Sequence, residues 1–189
     1  LLQGAAVIGM DVSLVLIEEI AELPQEELRR ALANLQSAEF LYETRLFPDP
    51  EYTFKHALTL DVTYGSVLQE RRRMMHRRVG EVIEERYADR LPEFFESLAT
   101  HFYRGEVWEK AARYDLDAAE KAKAKYAYAT AVRFCRRALE LAEKHEGLLA
   151  ERLRGLVLLG DLSSLMGDLE QANKNYDEAL SATTDATAR

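Results

Sequence analysis

From residue 93 onward the apolar positions recur at helical spacing, and no proline after Pro92 interrupts them. Five helices are predicted, at 93–104, 107–124, 127–145, 148–166 and 169–182, joined by short connections into an antiparallel array. Gly105, Gly147 and Gly167 fall in three of the turns. The last two helices carry the sharpest pattern: Leu156-x-x-Leu159-Gly160, then Gly167-Asp168-Leu169-x-x-Ala172, then Tyr176-x-x-Ala179-Leu180. Leu156 and Leu159 share one face of the first helix, and Gly160 allows a close approach to it. Gly167 ends that helix in a left-handed conformation that costs nothing without a Cβ. Ala172 and Ala179 are small contacts on the second helix, with Tyr176 filling the gap between them. Such a pair cannot bury its apolar face alone, so it belongs to a stack.

Two looser copies precede it. One is Phe95-x-x-Leu98-Ala99-x-x-Phe102 with Trp108-x-x-Ala111, and the other is Tyr128-x-x-Ala131 with Ala138-Leu139. The pattern resembles the tetratricopeptide repeat, whose unit is about 34 residues. The step from Trp108 to Tyr128 is only 20 residues, so the helix at 107–124 is expected to serve two neighbours.

The first half reads differently. Residues 1–9 suggest the end of a helix, Ser13 is an N-cap candidate for a helix over 14–20, and Pro24 opens a helix running to Ala38. Phe40-Leu41-Tyr42 and Tyr52-Thr53-Phe54 predict two short strands, with residues 44–51 as their loop, containing Pro48 and Pro50. Three helices and a hairpin are the plan of a winged helix. Helices over 57–67 and 69–89 complete this half. The expected fold is therefore mainly α: a winged-helix-like domain with a short hairpin over 1–90, then an antiparallel α-solenoid of tetratricopeptide type over 91–189.

Tyr52-Thr-Phe-Lys-His56-Ala-Leu58, Tyr64-Gly-Ser-Val-Leu68 and Arg71-Arg-Arg-Met-Met-His76-Arg-Arg-Val79 form a distinctive run. It resembles the region after the ATPase core in signal-transduction ATPases with numerous domains. More narrowly, it is similar to large bacterial proteins that join a class III adenylate/guanylate cyclase to such an ATPase and a tetratricopeptide tail. The resemblance implies that His56 occupies the place of a histidine that contacts the β-phosphate of bound ADP. The usual Met-His-Asp triplet reads Lys55-His56-Ala57 here. It also implies a non-catalytic regulatory and interaction module, bacterial and cytoplasmic, whose partner is another protein or the ATPase core of the same polypeptide. No cofactor is expected within these residues, and ATP or ADP would belong to the longer parent.

A length of 189 residues supports one or two domains. The net charge of −8 and a pI near 5.2 argue against a general nucleic-acid or anionic-membrane binder. Residues 1–90 carry 11 basic and 16 acidic side chains, a net of −5, and the expected recognition helix begins with Glu26 and Glu27. A winged-helix transcription regulator with a repeat-type sensor is the alternative reading, and this charge weighs against it. No apolar run is long enough to span a bilayer. Cys135 is the single cysteine, which fits a reducing compartment. The chain opens Leu1-Leu2-Gln3 and reads as a segment of a longer protein.

Candidate chemistry is sparse. The Gly-rich phosphate loop is absent from the sequence, and no nucleophile–base or metal spacing is apparent among His76, His101 and His145, which read as surface or half-buried residues. His56 either senses nucleotide or is a structural histidine at a strand–helix junction. Arg71, Arg72, Arg73, Arg77 and Arg78 lie beside an expected apolar stripe of Leu68, Met75, Val79 and Val82, and read as a salt-bridged, solvated face with pairs such as Arg77 with Glu81. Docking to the ATPase core is the sharper alternative. Repeat phase places Arg154, Val157, Asp161 and Ser164 on the partner-binding face of the last unit. The polar tail after residue 181 is expected to fray, leaving an unmatched side through which the terminal repeat would self-associate.

Overall fold

The computed structural model describes residues 1–45 and 50–187. Residues 46–49 of the expected hairpin loop, Pro48 among them, lie outside that range. The chain is mainly helical with a small antiparallel sheet, and it divides into two compact units, Leu1–Ala88 and Asp89–Arg189.

The first unit holds α1 (Leu2–Ile8), β1 (Asp11–Ser13), α2 (Leu14–Ala21), α3 (Gln25–Ser37), β2 (Leu41–Arg45), β3 (Glu51–Phe54), α4 (Ala57–Gly65) and α5 (Gln69–Arg86). The sheet has three strands in the order β1-β3-β2, not the expected two-stranded hairpin. Residues 11–13 are too few to display an alternating pattern, and tertiary pairing makes them a strand. Asp11 pairs with Thr53 and Val12 with Tyr52, Thr53 Oγ1 donates to Asp11 Oδ1 at 2.7 Å, and Leu14 N–H donates to the Pro50 carbonyl at 2.9 Å. Central β3 consequently buries Tyr52, Thr53 and Phe54 in succession, whereas edge strand β2 buries only Leu41. The core around them joins Ala5, Ala6, Val12, Ile17, Leu28, Leu32, Leu41 and Phe54.

Ser13 stands at the N-cap position of α2 without a capping side-chain bond, and its hydroxyl lies 3.3 Å from the Tyr87 hydroxyl instead. Helix α5 buries His76, Val79, Gly80, Val82 and Ile83. The expected stripe is corrected at one end, because Leu68 sits at the N-cap position with 78% of its surface exposed. The arginine face is salt-bridged in part. Arg73 pairs with Glu70, Arg78 with Glu81, and Glu19 of α2 takes both Arg78 and Arg86. The hydrogen bond from Arg86 is the main reason that the Glu19 carboxyl is held below the ordinary range.

A 3-10 turn (Ala88–Arg90) spans the boundary between the units, and the second unit holds α6 (Leu91–Arg104), α7 (Trp108–Ala124), α8 (Tyr128–Lys144), α9 (Leu149–Leu165) and α10 (Leu169–Thr187). Pro92 is in the first turn of α6, where its missing N–H costs nothing. Connections of three or four residues fold each helix back on its predecessor, and α7 also packs on α9. Three turns close the same way, with a left-handed residue followed by an N–H that reaches back into the last helical turn. Those bonds are Val107 to Phe102, Ala127 to Ala122 and Asp168 to Ser163, each at 2.9 Å. Glycine supplies the left-handed residue only at Gly167 among these three. At the first turn it is Glu106 (φ 57°), while the expected Gly105 is right-handed, and at the second it is Tyr126 (φ 61°). Helix α10 runs past the expected end at 182. Among the described residues no helix is long and apolar enough to cross a membrane.

Candidate functional site

His56 stands at the junction between β3 and α4. Its backbone is extended and its carbonyl accepts the Thr59 and Leu60 N–H groups, while its exposed side chain makes no capping bond. The imidazole is thus left to solvent at a helix start. Lys55 beside it donates to Glu39 at 2.8 Å, and that bond holds the Glu39 carboxyl below its usual range. On α5, His76 is 1% exposed, with Nε2 2.9 Å from the Tyr64 hydroxyl. The Arg72 guanidinium lies 4.3 Å from the Tyr64 ring centroid and donates to the Val67 carbonyl.

Three of the four residues expected on the partner face lie together. Arg154, Val157 and Asp161 line one open groove of about 380 Å³ with Leu153 and Leu158 of α9 and Glu120 and Lys123 of α7. Ser164 lies beyond that lining, exposed, with its carbonyl taken by the Gly167 N–H in the helix-ending turn. Arg154 bridges to Asp117 at 2.7 Å and Glu120 at 2.9 Å, tying α9 to α7. Burial works against the Arg154 charge, but the two carboxylates outweigh it and keep the guanidinium pKa raised. Asp161 accepts from Lys123 Nζ at 2.6 Å and from the Tyr176 hydroxyl at 2.8 Å. Burial alone would raise its carboxyl, yet these donors together hold it below the ordinary value. With its charges committed to each other, the groove offers Val157, 46% exposed, as its free apolar contact. An ion-pair rim around an apolar floor suits a peptide side chain.

The α7 contribution escaped the sequence reading. Asp117, Glu120 and Lys123 recur every three residues, so they share a helix face, but nothing local says that α9 lies across it. The packing of the two layers rests on a glycine. A Cβ at Gly160 would come within 2.5 Å of the Tyr176 ring, so only glycine lets α10 close onto α9. Tyr176 thus fills the gap and passes its hydroxyl to Asp161.

Asp115, Cys135 and Tyr176 occupy equivalent places on α7, α8 and α10, each four residues after an alanine (Ala111, Ala131, Ala172) and three before another (Ala118, Ala138, Ala179). Asp115 is fully buried and takes Arg137 of α8 in a bidentate pair through Nε and the terminal nitrogen. Burial is the stronger influence on Asp115, raising its carboxyl even against Arg137. Cys135 is fully buried, and burial pushes its thiol up to about 12, aided by the Asp115 and Glu120 charges. It is an unreactive core thiol. His101 is buried, and His145 stacks on Trp108 with ring centroids 4.4 Å apart. The sequence reading of His76 and His101 as surface or half-buried residues is thereby corrected. Both fall on the inward stripe of their helices. Among the described residues no group of three or more His, Cys, Asp or Glu side chains gathers as a metal site.

No family model matches the chain, and no solved structure matches it. A curated relative, an uncharacterized protein of Rhizobium meliloti strain 1021, is 27% identical over 184 residues, covering 94% of this chain and 18% of the relative. The chain therefore spans less than a fifth of the relative's length.

Proposed function

We propose that the chain is a non-catalytic regulatory and protein-interaction module of a multidomain signalling ATPase, of the kind joined to class III nucleotide cyclases. The first unit is read as a winged-helix-like domain that reports the nucleotide state of an ATPase core. The second is read as a tetratricopeptide-type array that receives a protein partner. The observation that carries the reading is the open groove between alternate helices α7 and α9, held by the Arg154 and Asp161 ion pairs and floored by Val157. Helices that stack in sequence and leave an open groove between two alternate members suit the binding of a segment. The exposed imidazole of His56 at a strand–helix junction supports the sensor half. The length of the relative, of which the matched segment is 18%, suits a module of a larger protein. A lone buried thiol suits a reducing cytoplasm.

In this reading partner binding and nucleotide state bias one two-state equilibrium. Calorimetric titration of ADP into the polypeptide extended on its N-terminal side tests it. Saturable ADP binding is expected, weakened about tenfold or more by His56→Ala, as for loss of one charge-assisted phosphate contact. Equal affinity in the variant removes the sensor role from His56.

A further inference from the structure

The outward face of α8 has a different character from the α7–α9 groove. Ala129, Val132, Arg133, Arg136, Arg137 and Glu140 line an open depression of about 390 Å³ along that helix. Their spacing of three and four residues keeps all six on one face, extending about 17 Å from Ala129 to Glu140. Three guanidiniums on two helical turns are a concentrated positive feature in a chain whose net charge is −8. Asp115 neutralises one of them, since Arg137 gives it both Nε and a terminal nitrogen. Arg133 and Arg136 are exposed, and among the described residues neither has an ion pair.

Phe134 lies beneath the cluster. The Arg133 and Arg137 guanidinium carbons are 5.4 Å and 5.5 Å from its ring centroid, and since Asp115 already holds Arg137, the aromatic face steadies Arg133 as the one exposed fork placed before any ligand arrives. A planar guanidinium held in place matches a carboxylate through two parallel hydrogen bonds, and preorganisation reduces the entropy lost on pairing. Ala129 and Val132 add an apolar strip beside the charges, and Glu140 closes the far end with a negative charge that fixes orientation.

We infer that this α8 face docks an acidic amphipathic segment of a partner protein, its carboxylates on Arg133 and Arg136 and its apolar side chains on Ala129 and Val132. A nucleic acid would match the arginines, but it has no use for the apolar strip and meets the overall negative charge of the chain. The surface is independent of the Val157 groove, being on another helix and using other residues.

The test is fluorescence anisotropy on the whole chain with a labelled helical peptide of about 12 residues that places Glu and Leu on one face. Controls are the same peptide with Gln for Glu and a single-stranded oligonucleotide of equal charge. Binding of the Glu peptide is expected to weaken with salt and to fall at least about tenfold in Arg133→Glu/Arg136→Glu. Val157→Glu should leave it unchanged, so failure of the groove reading and failure of this one are separable. Both substituted arginines are exposed, and an unaltered melting curve will show that the fold survives. Absence of saturation by about 1 mM peptide, equal binding of the Gln peptide, or equal binding by the double variant would each overturn the inference. So would an oligonucleotide that binds more tightly than the peptide.

Discussion

Helices α7 and α8 are joined by a buried ion pair, whereas α9 and α10 are joined by an aromatic ring laid over a glycine. The two contacts use the same position of the helical pattern, Asp115 in one and Tyr176 in the other. Asp115 is sealed from water and depends on Arg137, so its contact is satisfied only as a pair. Tyr176 depends on an absence of volume at Gly160 and delivers a hydroxyl to the half-exposed Asp161. At this position one contact is locked by charge and the other by shape, although an Arg152–Glu178 pair also links α9 to α10. The difference teaches that helices can share the same small alanine contacts while differing in what locks them.

The largest effect should come from breaking the charged lock. Arg137→Met strands a buried carboxylate and should cost about 3–5 kcal/mol in urea unfolding. Asp115→Leu in the same chain should recover most of that loss, because the pair is then removed as a unit. A carboxyl whose folded-state pKa lies above its unfolded value takes up a proton on folding. Burial already raises Asp115 in the native chain and Arg137 pulls it down, so losing Arg137 raises it further, and the deficit of Arg137→Met should shrink as pH falls from the variant's folded value towards the native folded one. A deficit independent of pH would break the contrast drawn between the two locks.

Next in size is the shape lock. Gly160→Ala places a methyl group against the Tyr176 ring and should cost about 2 kcal/mol by overpacking. Tyr176→Leu should cost less in that background than in the native one, since the clash disappears with the ring. Additive losses would mean that the ring and the glycine act independently.

Smaller again is Asp161→Asn, expected to lower stability by less than about 1 kcal/mol because the group is partly exposed and screened. The lowered Asp161 carboxyl contributes stability above its unfolded value, and that contribution is lost as pH falls through the folded one. The native protein should lose it on acidification, and the Asn variant should lack that increment. The smallest signal concerns Cys135. With its thiol pushed up to about 12 and fully buried, labelling by a thiol reagent near pH 8 should follow unfolding only. Rapid labelling of the folded chain would contradict its place in the core.

The two units also differ in how far their sequences disclosed them. In the second, uninterrupted helical periodicity located five helices to within a few residues, and Gly160, Gly167 and Tyr176 have the packing roles that their types imply. Arg154, Val157 and Asp161 share a groove because spacing of three and four residues keeps them on one face of α9. The partners of that face lie on α7, and contact between helices 30 or more residues apart leaves no local mark in the sequence. Asp115 was invisible for the same reason, since an acidic residue in a charge-rich helix normally faces solvent. In the first unit β1 is made by pairing alone. Leu68 looked like a core residue by spacing, yet it lies where the chain enters α5 and has no stripe to join.

Hydrogen exchange, read by mass spectrometry on the N-terminally extended polypeptide with and without ADP, tests the regulatory reading most directly. Slower exchange is expected at the junction of β3 and α4 around His56 when ADP is added, with His56→Ala abolishing the difference. Identical exchange at that junction with and without ADP would contradict the proposed coupling of this chain to nucleotide state.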